Sequence, residues 1–342
     1  MNIENTGSEK TAKNIFQSII KKIIAKVLDI SQDLTQTIRK ATIRNPKSIF
    51  FNISKFKNDN FLTRQAQECI KANGLRSINA LDLAKLKKSD TLFILGSGAS
   101  VNDLCDADWE KIADCTSVGF NYWMAHPFVP DLYFTEPPKS IHAWEDYLRL
   151  CRARKDSYTR TPFIINYKAW QSLMQDYPLE DIPEEFLQNL YCYAPYYLRL
   201  NKPWMIRLVL LAWRRKKFEK NPYDWLILQR GTLGMLIMFG YFAGFKNIVL
   251  VGVDLSNTDY FFEDCNKDFV FRPSKVQTKS IHRTVDPTLD INRISITIDK
   301  YIFLLNDTLL KPAKVTLFIG SKKSLLYPRL PLYKFPRQCP SK

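Results

Sequence analysis

The sequence predicts an α/β fold, a Rossmann-like and mostly parallel sheet with helices on both faces. Two observations predict it. From residue 91 onward, short apolar runs alternate with helical patterns. Several of those runs, such as "NIVLVGVD" at 247–254, are apolar on both faces rather than at every second position, as strands buried on both sides must be. In such sheets ligands bind past the carboxyl ends of the strands. Gly96, Asn121, Glu136, Asp254 and Gly320 all fall there.

The elements follow in order. "NIFQSIIKKIIAKVLDI" (14–30) puts Phe16, Ile19, Ile20, Ile23, Val27 and Ile30 on one helical face, with Lys21, Lys22 and Lys26 off its centre. This basic amphipathic helix fits a membrane interface or the core equally well. Residues 45–90 read as a helical lead-in. "TLFIL" (91–95) is a strand that runs into Gly96-Ser97-Gly98-Ala99-Ser100, and "VNDLCDADWEKIA" (101–113) is a helix. "TSVGFN" (116–121), "DLYFTE" (131–136) and "PFIINY" (162–167) are strands. "TLGMLIMFGYFAGF" (232–245) is a buried helix before the strand at 247–254. "TIDKYIFLLNDTLL" (297–310) is a helix, and "KVTLFIG" (314–320) is the last strand. Residues 140–228, rich in Tyr, Trp and Arg, read as a helical lid inserted over the sheet edge. The predicted organisation is a basic helical region at 1–88, a Rossmann-like domain at 89–320, and a basic aromatic tail at 321–342.

Charge is concentrated at the ends. The net charge is +16. Residues 1–60 hold 11 Lys/Arg against 5 Asp/Glu, residues 311–342 hold 8 against none, and the 250 residues between hold 31 against 29. A nucleic-acid groove would be part of the folded core, so a nucleic-acid partner is not expected. Basic ends suit an anionic membrane surface. Seven cysteines, with no C-x-x-C spacing, predict a reduced cytosolic chain without disulfides or zinc. The first ten residues are polar and mixed in charge, unlike a secretory signal, and no apolar run reaches the ~18 residues of a membrane span.

Three motifs compete for chemistry. The Gly96–Ser100 turn lets a ligand approach closely, and the helix start after it offers backbone N–H donors to a phosphate. It departs from the dinucleotide fingerprint at Val101 and Asn121, and no Gly-Lys-Ser/Thr follows, so neither a nicotinamide site nor a Walker loop is expected. Asp106-Ala107-Asp108 has the form of a metal-carrying D-x-D, but its place in a helix favours surface or first-turn acids. The three histidines, His126, His142 and His282, do not have the context of a metal site, so no metal or cofactor is expected. "QRGTLGMLIMFGYFAGFKNIVLVGVDLSNTDYFFED" (229–264) repeats the layout of 91–104. Arg230 precedes a small-residue turn at a helix start, and the strand that follows ends in Gly252-Val253-Asp254.

Taken in order, these motifs resemble the bacterial sialyltransferases of glycosyltransferase family 42. Gly96-Ser97-Gly98-Ala99-Ser100 is similar to the family's G-N-G-P-S, and Asn121 to its second-strand Asn. Arg230-Gly231-Thr232-Leu233-Gly234 is similar to R-x-T-S-G, and Gly252-Val253-Asp254-Leu255-Ser256 with Tyr260 to G-I-D-F-Y and its second Tyr. "IHRTVDP" offers His282, Thr284 and Asp286 for the catalytic His and T-D pair, and "LFIGSKKSLLYP" the final S-x-L turn. The chain departs from the family at Ser97, Leu233, Ser256 and Glu136, which stands where the family has a donor-binding Asn. The resemblance covers about residues 90–330, without similarity at 140–225.

What it implies is an inverting, metal-independent transfer from a CMP-activated nonulosonic sugar to a glycan hydroxyl, with sialic acid, a relative or Kdo as donor sugar. His282 is then the base, and Tyr260 and Arg230 serve the leaving phosphate. Gly96, Ser97, Gly98, Ser100, Asn121, Glu136, Thr232, Gly234, Gly252, Asp254 and Ser256 line the donor. The implied partners are the CMP-sugar, a glycan acceptor and the cytoplasmic face of a bacterial membrane, where lipopolysaccharide or capsule is built; a homo-oligomer is left open. A nucleotide-dependent phosphotransferase and a non-catalytic glycan or nucleotide binder remain the alternatives.

Overall fold

The computed structural model describes residues 46–138, 141–173, 178–198, 200–256, 259–269, 272, 284–286 and 296–335. The amphipathic stretch at 14–30, His282 and the last seven residues lie outside them.

The centre is a seven-stranded sheet. Its strands are β1 (Thr91–Leu95), β2 (Thr116–Phe120), β3 (Leu132–Thr135), β4 (Phe163–Asn166), β5 (Leu190–Tyr193), β8 (Asn247–Val251) and β9 (Thr316–Ile319). Their order is β5-β4-β3-β2-β1-β8-β9, and every pairing is parallel. Two short strands, β6 (Tyr196–Tyr197) and β7 (Ile227–Leu228), pair beside it. The longer helices are α1 (Pro46–Ala72), α2 (Asp106–Ala113), α3 (Ile141–Arg154), α4 (Pro203–Trp213), α5 (Thr232–Phe242) and α6 (Ile298–Leu305).

Both faces of the sheet are buried, which explains the apolar strands. Along β1, Leu92 and Ile94 enter one core with α4, α5 and α6, while Phe93 and Leu95 enter another with α1, α2 and α3. Successive side chains of a strand point to opposite faces, so a two-sided sheet needs apolar residues at every position. Helix α5 is buried along its whole length.

Three expectations are corrected. The stretch at 140–228 is not an inserted lid, since it supplies β4 and β5 to the main sheet as well as α3 and α4. The tail at 321–342 is not separate from the sheet domain through residue 335. Leu326, Leu330 and Phe335 are buried, Leu332 forms a bridge with Ile319, and the Tyr333 ring meets Phe93 edge-on at 5.3 Å. Leu325 and Tyr327 of the same segment stay exposed, at 44% and 41%. Finally, Cys105 is disulfide-bonded, so the chain is not free of disulfides. The other described cysteines are free. Among the described residues no helix is long and apolar enough to cross a membrane.

Candidate active site

Strand order reverses at β1. From β1 the sheet grows outward to β5 on one side, and β8 and β9 are added on the other. The carboxyl ends of β1 and β8 thus form the topological switch point, the usual ligand crevice of an open α/β sheet.

Gly96 and Gly98 follow β1, and Gly252 follows β8. The Gly96 N–H donates to the Val251 carbonyl at 2.8 Å, and the Gly98 N–H to the Gly252 carbonyl at 2.8 Å. Gly252 has φ +62, and a Cβ there would run into the Gly96 carbonyl. A Cβ on Gly98 would lie 2.6 Å from Asp254 Oδ2. The glycines therefore let two strand ends touch.

The amides after them are also engaged. The Ala99 N–H donates to the Asp259 carbonyl at 3.1 Å. The Ser100 N–H donates to Asp254 Oδ2 at 2.9 Å, and the Ser100 hydroxyl donates to Asp254 Oδ1. This corrects the expectation that the helix start after Gly98 offers its N–H groups to a phosphate. That start is a 3₁₀ turn over Ala99–Asp103, and its first donors are satisfied internally. A second helix, α2, begins only at Asp106 because Leu104 and Cys105 are extended. The D-x-D is its first turn: Asp108 accepts from the Cys105 N–H at 3.2 Å.

Tyr260 crosses the same turn. It forms a bridge with Gly98, the Phe261 N–H donates to the Ser97 carbonyl at 3.0 Å, and the Tyr260 ring stacks on Phe262 at 5.0 Å. Burial, followed by nearby Asp146 and Tyr260, pushes the Tyr122 phenol up to about 12, so it keeps its proton at neutral pH. Asn121, just before it, has φ +54, and its carbonyl accepts from the Tyr133 hydroxyl. At the end of β3, Glu136 Oε1 accepts from Asn166 Nδ2 at 3.0 Å.

Ser256 is exposed and turned away from this cluster toward the end of the chain. Its hydroxyl donates to the Lys323 carbonyl at 3.0 Å. Ser324 donates to the Val253 carbonyl at 2.6 Å, and the Leu325 N–H to the Asp254 carbonyl at 2.7 Å. Lys323 pairs with Asp103 at 2.7 Å. The final S-x-L turn thus clamps the end of β8 onto the 3₁₀ turn after β1.

The Arg230 turn opens α5. Arg230 has φ +55 and Leu255 φ +58, both rare for bulky side chains. An Arg230 Nη2 donates to the Asp286 carbonyl. No side chain caps the N-terminus of α5, whose cap residue is Gly231. The Thr284 methyl lies 3.6 Å from where a Cβ on Gly231 would stand, and the Ile298 N–H donates to the Thr284 carbonyl at 3.1 Å. The segment 284–286, two residues beyond His282, is therefore packed on the Arg230 turn. Thr232 is buried there. Gly234 faces the Tyr301 ring of α6, where a Cβ would lie 2.6 Å from Cε1.

Two solved structures are similar to this chain. One is the sialyltransferase CstII from Campylobacter jejuni in complex with a substrate analogue, CMP-3FNeuAc; identity is 12%, the TM-score 0.36, and the match covers 72% of this chain and 86% of that one. The other is the monofunctional alpha-2,3-sialyltransferase Cst-I from the same organism, with 12% identity, a TM-score of 0.37, and 75% and 84% covered. No family model matches the chain, and no curated protein matches it.

Neither of the other two histidines is a candidate base. His142 is exposed beside Glu145. His126 is 9% exposed between the rings of Trp109 and Trp123, each at 4.6 Å, and its Nδ1 accepts from the Phe128 N–H at 3.1 Å. Burial first, then Lys267 and Arg154, lowers it to about 3, so it is a neutral core residue. Among the described residues no cluster of His, Cys, Asp or Glu could hold a metal ion. Sequence reasoning missed Tyr133 and Asn166, the fully buried polar groups that hold Asn121 and Glu136. A polar residue ending or interrupting an apolar strand was the available signal.

Proposed function

We propose that the chain is a glycosyltransferase that moves sialic acid or a related nonulosonic sugar from its CMP-activated form to a hydroxyl of a glycan. Inversion at the anomeric carbon, independence from metal, and work on lipopolysaccharide or capsule at the inner face of a bacterial membrane belong to the same reading. The observation that carries it is the Arg230–Asp286 contact. It joins the turn suited to a leaving phosphate to the segment that holds the proposed base. The collinear sequence motifs supply the rest.

The chemistry fits these residue types. The anomeric carbon of such a sugar bears a carboxylate and has no neighbouring hydroxyl, so its bond to CMP is already weak. The acceptor oxygen forms the new bond to that carbon from the face opposite CMP. Its proton passes to His282, whose ordinary pKa of about 6.5 suits a base near neutrality. The bond between the carbon and the phosphate oxygen breaks, and CMP leaves with the electron pair. Arg230, the Tyr260 hydroxyl and the positive end of α5 stabilise the charge that develops on the phosphate. Left-handed backbone at Asn121, Arg230 and Leu255 is the local strain that functional sites retain.

A thermal-shift comparison of CMP with UMP, GMP and AMP tests the reading, because a ligand that binds only the folded state raises its melting temperature. CMP alone should stabilise the protein. Equal shifts from all four nucleotides, or a phosphorylated product in place of released CMP, would overturn it.

A further inference from the structure

The outer face of α4 and the turn after it combines exposed arginines with exposed large apolar side chains. Met205, Ile206, Leu208, Leu210 and Trp213 face the core. On the opposite face, Arg207, Leu211, Arg214, Arg215, Phe218 and Lys220 are exposed. Phe218 is 84% exposed, the highest value among the exposed large hydrophobic residues, and Leu211 is 39% exposed. Arg207 and Leu211 are four residues apart and Leu211 and Arg214 three, so they share one helical face.

The turn Arg214–Phe218 is packed from behind. Lys216 lies over the Trp225 ring at 3.9 Å, and Lys217 over Tyr241 at 4.6 Å. Two lysines of the basic run are thus folded inward, which leaves Phe218 projecting. The acids nearby are occupied. Glu219 pairs with Lys216 and accepts from Trp225 Nε1 at 2.7 Å, and Asp307 pairs with Lys311 at 2.9 Å. Arg214 reaches the Pro312 carbonyl at 3.3 Å, which joins this face to the corner that presents exposed Lys311 and Lys314.

From this arrangement we infer that the α4–Phe218 face docks on an anionic lipid surface, with Phe218 and Leu211 entering the headgroup boundary and the arginines meeting lipid phosphates. Charge complementarity selects the partner, since basic side chains near a negative leaflet are attracted to it. The projecting aromatic ring selects lipid over a purely polar polyanion, because aromatic and long basic side chains settle at headgroup depth. The inference rests on the membrane reading above, but assigns contact to this folded face rather than to the chain ends.

The test uses the full chain carrying Cys265→Ser, which removes the exposed described cysteine, and Phe218→Cys labelled with an environment-sensitive fluorophore. Phosphatidylcholine vesicles with and without phosphatidylglycerol are added. The expected result is a blue-shifted emission with the anionic vesicles only, lost at high salt. Arg207→Glu together with Arg215→Glu should lower the lipid affinity read at this probe about 10-fold, with the melting temperature showing that the variant is folded. Co-sedimentation with anionic vesicles but no shift at residue 218 would overturn the inference while sparing the membrane reading. Absence of sedimentation would overturn both. A shift produced by RNA and not by vesicles would give the face to nucleic acid and overturn it as well.

Discussion

The carboxylate of Asp254 accepts two hydrogen bonds from Ser100, one from its backbone N–H at 2.9 Å and one from its hydroxyl. The two residues are 154 positions apart, and both are buried. Together they fasten the turn after β1 to the end of β8.

That pair should be worth more than a surface contact. Asp254→Ala leaves two buried donors unsatisfied, so a loss of about 3 kcal/mol is expected, against about 1 to 2 kcal/mol for Ser100→Ala. Urea unfolding of both single variants and the double variant measures the coupling. Additive losses would show that the two side chains do not act as one unit.

Gly98→Val and Gly234→Ala should destabilise the fold before they report on any ligand. At Gly98 the added carbon meets Asp254, and at Gly234 it meets Tyr301, which is fully buried. Overpacking of this kind costs about 1–3 kcal/mol. A lower melting temperature without nucleotide is the expected outcome. Weakened CMP binding at unchanged stability would assign the glycines to the ligand instead.

His126 should make the protein acid-sensitive. Its folded value is lowered to about 3, against about 6.5 in an unfolded chain. The unfolded state therefore binds the proton first, so this stability is full above about pH 6.5 and is lost as pH falls toward the folded value. The slope is about 1.4 kcal/mol per pH unit while the unfolded His is charged and the folded one neutral. His126→Gln should flatten the stability profile between about pH 4 and 6 by close to that amount. An unchanged slope would mean that His126 is protonated in the fold.

His282→Ala should bind CMP as the wild type does and transfer sugar at least about 10²-fold more slowly. The wild-type rate should fall on the acid side with an apparent pKa near 6 to 7. Arg230→Ala should lose transfer by about 10²–10³-fold, as the removal of a charge-stabilising group does. Near wild-type transfer by His282→Ala would leave Glu136 and Asp286 as the carboxylates to test, since both carboxylate oxygens of Asp254 are engaged by Ser100.

Transfer should continue in excess EDTA. The D-x-D at Asp106 and Asp108 is the first turn of α2, with Asp108 spent on the Cys105 N–H. Loss of activity that Mg²⁺ or Mn²⁺ restores would place a metal in the mechanism.

The central strands were legible because burial on both faces leaves an unmixed apolar run, as at Leu92–Leu95 and Ile248–Val251. β5 was not, because "LYCY" at 190–193 is short, aromatic and embedded in other aromatic residues. The 140–228 stretch therefore read as a lid. The positions of Gly96, Gly98 and Gly252 were legible, but their office was not. Small residues suit both a phosphate and a touching backbone, and only the three-dimensional pairing with Asp254 separates the two. Contacts such as Tyr133 with Asn121 depend on neighbouring strands meeting in register, which no local pattern encodes.

The placement of β1 between β2 and β8 also constrains how the molecule comes into being. A nascent chain emerges amino end first, at about 5–20 residues per second. β2 can join β1 early, but the other edge of β1 has no partner until residues 247–251 have left the ribosome. Until then the strand destined for the middle of the sheet is an edge, with open backbone donors and acceptors able to template pairing with another chain. The clamp at 321–325 arrives later still. The crevice is thus among the last parts of the protein to exist, and a fragment released before residue 247 should aggregate through β1 rather than accumulate as a folded intermediate.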